Sequence, residues 1–417
     1  MTYKEDSAVL IQENTDSGTY ISKKYLLDVY PQLVDVATTP GLWGAGRNSY
    51  GELGNNSPSN ITSSPIQTVA GGISWLQVSS SCGDDDTGSV SHTAAIKTDG
   101  TLWIWGANDN GQIGKNVLTP VAYSSPIQTV ASGTNWKQVA CGYNHTAAIK
   151  TNGELWMWGA NALGQIGRNS IALLKFSSPI QTIAVGTNWK QVACGSYHTA
   201  AIKTNGELWL WGSHSSMQLG RSMSVASPGS SPMQTTVGGT NWKQVACGKN
   251  HTAAIKTNGE LWSWGANGYY QLGINYATTS TPVQTSVAGT NWRQVACGSS
   301  FSAAVKTDGT LWTWGYGVYG QLGNNSTTTS STPVQTALTG TNWKQVACGD
   351  YHAAAIKTDG TLWSWGGNSS GQLGNNTYSP SVVASTPVQT IAGGTNWKSV
   401  SCGGNHTTAI RDFDEGF

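Results

Sequence analysis

One stretch of sequence recurs seven times in this chain, and that repetition limits the fold more than any other feature. Its fullest wording is GTNWKQVACGYNHTAAIKTNGELWMWGANALGQIG, residues 133–167. The copies align on a Trp-Gly pair whose glycine falls at Gly44, Gly106, Gly159, Gly212, Gly265, Gly315 and Gly366. After one longer first step the spacing is 50–53 residues. Such a period belongs to repeat architectures, where each unit buries its apolar surface against its neighbours. Most of the 417 residues are therefore scaffold, and function is sought where the copies differ.

Within a copy, four segments read as strands. WKQVAC (136–141) alternates and is β-rich, and HTAAIK (145–150) follows a short turn. Asn152-Gly153 predicts a type I′ hairpin into ELWMWG (154–159). A longer loop leads to SSPIQTIA (177–184). We call these strands A, B, C and D. Four antiparallel strands per repeat of about 50 residues make a propeller blade. Small Val, Ala, Cys and Ile in A and B suit the crowded inner zone. Trp156 and Trp158 in C share one face and fill the space where blades diverge.

The ends predict closure. The array begins with a C–D pair, TPGLWGAG (39–46) and SSPIQTV (63–69), and ends with an A–B pair over 396–412. Together they complete a seventh blade and leave no open edge. The expected fold is all-β: a seven-bladed propeller over 41–412, an N-terminal arm over 1–40 and a short tail over 413–417.

Only 10% of residues are charged and the net charge is +1, which argues against nucleic acid as the main partner. The first residues lack the apolar core of a secretory signal, and no run of about 18 apolar residues occurs. The expectation is a soluble protein made in the cytoplasm and compatible with incorporation in a virion.

The pattern VACGxxHTAAIKTDGxLWxWGxNxxGQLG resembles the RCC1 (regulator of chromosome condensation) repeat, a seven-bladed propeller. The uniform Trp-rich copies look most like RCC1-type proteins of bacteria and bacteriophages. The resemblance implies the fold. The family's eukaryotic exchange factor acts on a small GTPase and carries a basic tail, whereas Lys4, Glu5 and Asp6 give a mixed N-terminus here.

Loops B–C and D–A emerge on one face and are nearly invariant: Lys-Thr-Asp/Asn-Gly in six turns and Gly-Thr-Asn-Trp in six. Loops A–B and C–D emerge on the other face and vary. Adaptable polar and aromatic loops on a rigid base suit recognition. The candidate contact residues are Asp84, Asp85, Asp86, Tyr143, Arg168, Tyr197, His214, Arg221, Tyr269, Tyr270, Tyr319 and Tyr351. Lys115, Arg168 and Arg221 follow equivalent loop elements and raise the option of a basic patch for an acidic glycan.

Catalysis and metal binding find less support. Cys-x3-His recurs at Cys141/His145, Cys194/His198, Cys247/His251, Cys348/His352 and Cys402/His406. Zinc needs about four convergent ligands, and one copy offers two. Phe301 replaces one His, so the expected role is structural, an imidazole bonded to turn backbone. An odd count of seven Cys at equivalent places argues against disulfides. No metal, cofactor or catalytic residue is expected.

The arm residues Tyr20, Tyr25, Leu26, Leu27 and Tyr30 lie in a segment that either straps the disc or docks it to an assembly. The leading expectation is a non-catalytic protein- or glycan-binding propeller, a bacteriophage virion or bacterial surface component. The alternative is a regulatory adaptor or guanine-nucleotide exchange factor for a small GTPase.

Overall fold

In a computed structural model the chain closes into seven four-stranded antiparallel sheets. The structure describes residues 40–412, except 70–71, 73, 83–89, 119–120, 132, 172–173, 184–185, 223–227, 276, 287–288 and 380–382. The arm residues Tyr20, Tyr25, Leu26, Leu27 and Tyr30, the tail over 413–417 and the Asp84–Asp86 cluster all lie outside the described residues.

Numbered from the first complete copy, blade 2 shows the pattern: strand A is Trp136–Cys141, B is His145–Lys150, C is Leu155–Ala160 and D is Lys175–Gln181. Strands A line an axial channel of about 290 Å³ and strands D form the rim. Blade 7 orders Ser59–Gln67, Gly41–Asn48, His406–Arg411 and Trp397–Cys402, so the two ends of the array clasp in one sheet.

The register of that clasp corrects the alignment of the first copy. Gly46 pairs with His406 as Gly159 pairs with His145. The equivalent glycine is therefore Gly46 rather than Gly44, and Ala45 occupies the place of Trp158. In blades 1 to 6 the strand A tryptophan meets the inner strand C tryptophan edge-on, with ring centroids 6.2–6.4 Å apart. Each inner indole also donates across the blade boundary, as Trp158 Nε1 does to the Gln112 carbonyl at 2.7 Å. In blade 7, Trp397 faces Ala45 instead, beside a cavity of about 20 Å³. The buried Arg411 guanidinium lies 5.2 Å from the Trp397 centroid and covers it.

The outer strand C tryptophans are half-buried. With the strand A rings they sandwich a lysine: Lys150 Nζ lies 5.3 Å from Trp136 and 4.4 Å from Trp156. Glu154 lies 3.8 Å from the same ammonium. Cation–π attraction of this kind recurs in blades 1 to 6, and a glutamate counter-ion joins it in blades 2 to 4.

The B–C turn differs from the expected type I′ form. Gly153 N–H donates to the Lys150 carbonyl at 2.9 Å, and only Gly153 has positive φ, +83°. This is a three-residue loop, a type I turn closed by a left-handed glycine. Its invariance has a physical cause. Thr151 N–H donates to the Asn135 carbonyl at 2.7 Å, and the Gly153 carbonyl accepts from Trp189 N–H of the next blade at 3.1 Å. Repeated round the ring, these bonds knit the lower face together.

Strand A is an edge strand whose free backbone groups face the channel. Gln138 closes that edge: its Nε2 donates to the Val192 carbonyl at 3.1 Å, and its Oε1 accepts from Val192 N–H at 3.0 Å. The same two-bond glutamine clamp joins each pair from blades 1 and 2 to blades 5 and 6, and between blades 6 and 7 Gln345 Nε2 donates to the Val400 carbonyl at 3.2 Å. At the boundary of blades 7 and 1 the residue is Ser399, and Ser401 Oγ accepts from Ser80 N–H there instead, at 2.9 Å.

Candidate functional site: the variable face and the histidine belt beneath it

Under the variable face runs a belt of buried imidazoles. His145 Nε2 lies 3.0 Å from Thr199 Oγ1 of the next blade. The same bridge joins His92 to Thr146, His198 to Thr252, His251 to Ser302, His352 to Thr407 and His406 to Thr93, at 2.8–3.2 Å. The last of these crosses the closure boundary. Each hydroxyl gives its one proton to a carbonyl, as Thr199 does to Gln165 at 3.0 Å. It therefore accepts from the imidazole, which fixes the neutral Nε2–H tautomer. Burial pushes all six imidazoles down to about 3.

The histidines are structural, as the repetition implied, but the partner is a side chain one blade away rather than turn backbone. The Gly of Cys-Gly-x-x-His lets the ring lie flat, since a Cβ at Gly142 would run into His145. At the boundary of blades 5 and 6 both members change together: Phe301 is fully buried, and Ala353 replaces the threonine it would otherwise meet.

Burial works against thiolate chemistry at the six cysteines from Cys141 to Cys402. Cys141 Sγ donates to the Ser79 carbonyl at 3.3 Å, and burial pushes its thiol up to about 12. An imidazole held near 3 is too weak a base to deprotonate a thiol held near 12, so no thiolate–imidazolium pair forms there. Among the described residues, no group of three or more His, Cys, Asp or Glu is arranged to hold a metal.

Above the belt, the tyrosines gather into two groups. Tyr143 and Tyr197 meet edge-on at 5.7 Å, with Tyr143 buried. The larger group spans blades 4 to 6. Tyr269 lies 4.7 Å from Tyr316, which lies 6.0 Å from Tyr319 and 6.4 Å from Tyr351, while Tyr319 and Tyr351 are 4.7 Å apart. Tyr316 was not singled out from the sequence, although it stands where Ala107, Ala160 and Ala266 stand in other blades. Tyr269, Tyr270, Val318 and Tyr319 are all exposed beside it, Tyr269 by 49%.

Tyr270 holds a left-handed backbone, φ +62°, as does Met217 at the same place in blade 3, φ +65°, whereas Gly51, Gly111, Gly164, Gly320 and Gly371 stand there in the other five. A bulky residue there costs about 1–2 kcal/mol relative to glycine.

The remaining candidates lie elsewhere. His214 is buried, 1% exposed, and its imidazole does not reach the surface as expected. It replaces a loop asparagine that in blade 2, as Asn161, accepts from Ile166 N–H at 3.2 Å. Arg168 and Arg221 donate to the Gln181 and Gln234 carbonyls at 2.9 and 2.8 Å. Those carbonyls end their strands D, so both guanidiniums lie along the outer flank, apart from the tyrosines.

The chain belongs to the RCC1-like domain family, whose pattern it matches over residues 42–409. It is similar to the ultraviolet-B receptor UVR8 of Arabidopsis thaliana, at 32% identity over 89% of this chain and 70% of that protein. It is likewise 32% identical to the human probable E3 ubiquitin-protein ligase HERC6, over 76% of this chain but only 26% of that one. Among solved structures, Prp20p of Saccharomyces cerevisiae, described with its binding to Gsp1p and histones, superposes with a TM-score of 0.77. It is 20% identical, over 91% of this chain and 94% of that one, and so shares the fold.

Proposed function

We propose that this chain is a protein-binding propeller whose principal contact surface is the tyrosine platform over blades 4 to 6. The observation that carries the reading is the packing of Tyr269, Tyr316, Tyr319 and Tyr351 into one connected group on variable loops. Rings already ordered against one another lose little entropy on binding, and tyrosine is enriched among residues that dominate interface energies. Binding without catalysis, in a regulatory setting, is the role we assign.

The test is a triple substitution, Tyr269→Ser, Tyr270→Gly and Tyr319→Ser, with fold checked by thermal melting. Proteins cross-linked to the wild type and lost from the variant are expected in quantitative mass spectrometry. An identical cross-linked set would refute the assignment.

A second reading, exchange factor or adaptor for a small GTPase, draws support from family membership and from Prp20p, described with its binding to Gsp1p. Accelerated release of a fluorescent guanine nucleotide from a panel of small GTPases would favour it. The virion and bacterial-surface settings, and a glycan ligand, have no counterpart among the relatives named above, which are eukaryotic. Protein is the partner class we carry forward.

A further inference from the structure

The invariant face carries a feature that its scaffold role leaves unexplained. Each strand A begins with a β-bulge: Trp136 pairs with Lys150 and Gln138 with Ile149, leaving Lys137 as the extra residue. The same bulge places Lys190, Lys243, Arg293, Lys344 and Lys398 in blades 3 to 7. Bulges turn a side chain out of the ladder, here toward the axis. Lys137, Lys190, Lys243 and Arg293 together line a cavity of about 460 Å³ at the channel mouth.

These cations differ from the other lysines of the same face. Lys150, Lys203 and Lys256 each have a glutamate within 3.7–3.8 Å and two indoles around them. Lys137, Lys190 and Lys243 are exposed and have no carboxylate partner among the described residues. The arc is also one-sided. Lys398 is neutralised by Asp412 at 2.8 Å, and blade 1 carries Leu76 at the equivalent place. The glutamines lining the same mouth are committed to the clamps, as Gln191 is to Val245, and are not free to turn inward.

A protein of net charge +1 has thus collected three lysines without a carboxylate partner around one opening. Like charges facing each other repel, and while Arg293 Nη2 donates to the Trp343 and Lys344 carbonyls of the next blade at 2.7 and 3.0 Å, no such bond within the blades employs the three lysines. We propose that this mouth is a binding site for a compact polyanion, an oligophosphate held by Lys137, Lys190 and Lys243. The volume is that of a small-molecule site. Lysine engages phosphate as a rotatable point charge, and an anion on the axis is reached from several blades at once. The site lies on the opposite face from the tyrosines, so it stands or falls independently of the function proposed above.

Isothermal titration of the full chain with inorganic tripolyphosphate tests this, alongside orthophosphate and an octaglutamate peptide. Tripolyphosphate is expected to bind at least about tenfold more tightly than orthophosphate, and to weaken as salt rises from about 50 to about 200 mM. Lys190→Gln with Lys243→Gln is expected to cost about tenfold or more in affinity, and Lys175→Gln, on the outer rim, less than about twofold. The single variant Lys190→Gln, expected to lose about threefold, serves if the double variant melts early. Absence of binding, equal binding of orthophosphate, tighter binding of octaglutamate, or an unchanged affinity in the lysine variants would each overturn the proposal.

Discussion

Acid should open this ring, and the belt of imidazoles sets the amount. Six histidines are buried and held near 3, against an ordinary value of 6.5. Their folded pKa is depressed, so below 6.5 the unfolded chain takes up protons that the folded ring refuses, and stability falls as pH falls. Each contributes about 1.4 kcal/mol per pH unit, or about 2 kcal/mol at about pH 5. Six together come to the order of 12 kcal/mol, comparable with the whole stability of a typical domain.

Glu52 works in the opposite direction. It replaces the glutamine of the other blades, and burial raises its carboxyl from 4.5 to about 7. A raised carboxyl destabilises the fold above its unfolded value, so acidification from about pH 8 to about pH 5 returns about 2–3 kcal/mol. The net loss of about 9–10 kcal/mol predicts cooperative unfolding between about pH 6 and pH 4.5. Urea titrations followed by tryptophan fluorescence would measure it, as a midpoint falling steeply below about pH 6. A midpoint at about pH 5 equal to that at about pH 8 would refute the neutral, buried belt.

The same contacts give three further expectations. Phe301→His points an imidazole at Ala353 with no acceptor and should cost about 1–3 kcal/mol, while adding Ala353→Thr should recover most of it in a denaturation double-mutant cycle. Glu52→Gln restores the residue of the other blades, and chemical denaturation should show about 1–3 kcal/mol of stabilisation at about pH 8 that disappears near pH 5. Gln191→Ala removes both bonds to Val245 at an edge that channel water partly solvates, so a loss of about 1–2 kcal/mol is expected in urea.

Much of this architecture was legible in the chain because a blade is a local object. Alternation, turn glycines and a fixed period name four strands, and the complementary C–D and A–B halves at the ends name the closure. What failed to show were relations between copies. The true equivalent of Gly159 in the first copy is Gly46, which only its pairing with His406 reveals, because an earlier Trp-Gly pair mimics the motif. The imidazole partner is 54 residues away for His145, and so invisible within a single repeat. A trace was nonetheless written there: Phe301 and Ala353 depart from the pattern one repeat apart, as contacting residues do.

At the candidate site, Tyr269, Tyr319 and Tyr351 were readable as loop aromatics, but Tyr316 was hidden at a position that is alanine in other blades. His214 misled because a polar residue on a loop reads as exposed, whereas here it fills a buried asparagine's place. The lysines at the channel mouth were passed over because they repeat, and repetition reads as scaffold until the axis brings the copies together.

Closure by the two ends of the array underlies every other statement, and native-state hydrogen exchange of the full chain tests it most directly. Amides of Gly41–Gly46 and His406–Arg411 form one paired ladder in blade 7. They should exchange with the same free energy as those of His198–Lys203 in blade 3, through global unfolding alone. Exchange of the 41–46 and 406–411 amides orders of magnitude faster than blade 3 would mean fraying ends on an open array, and would contradict the account.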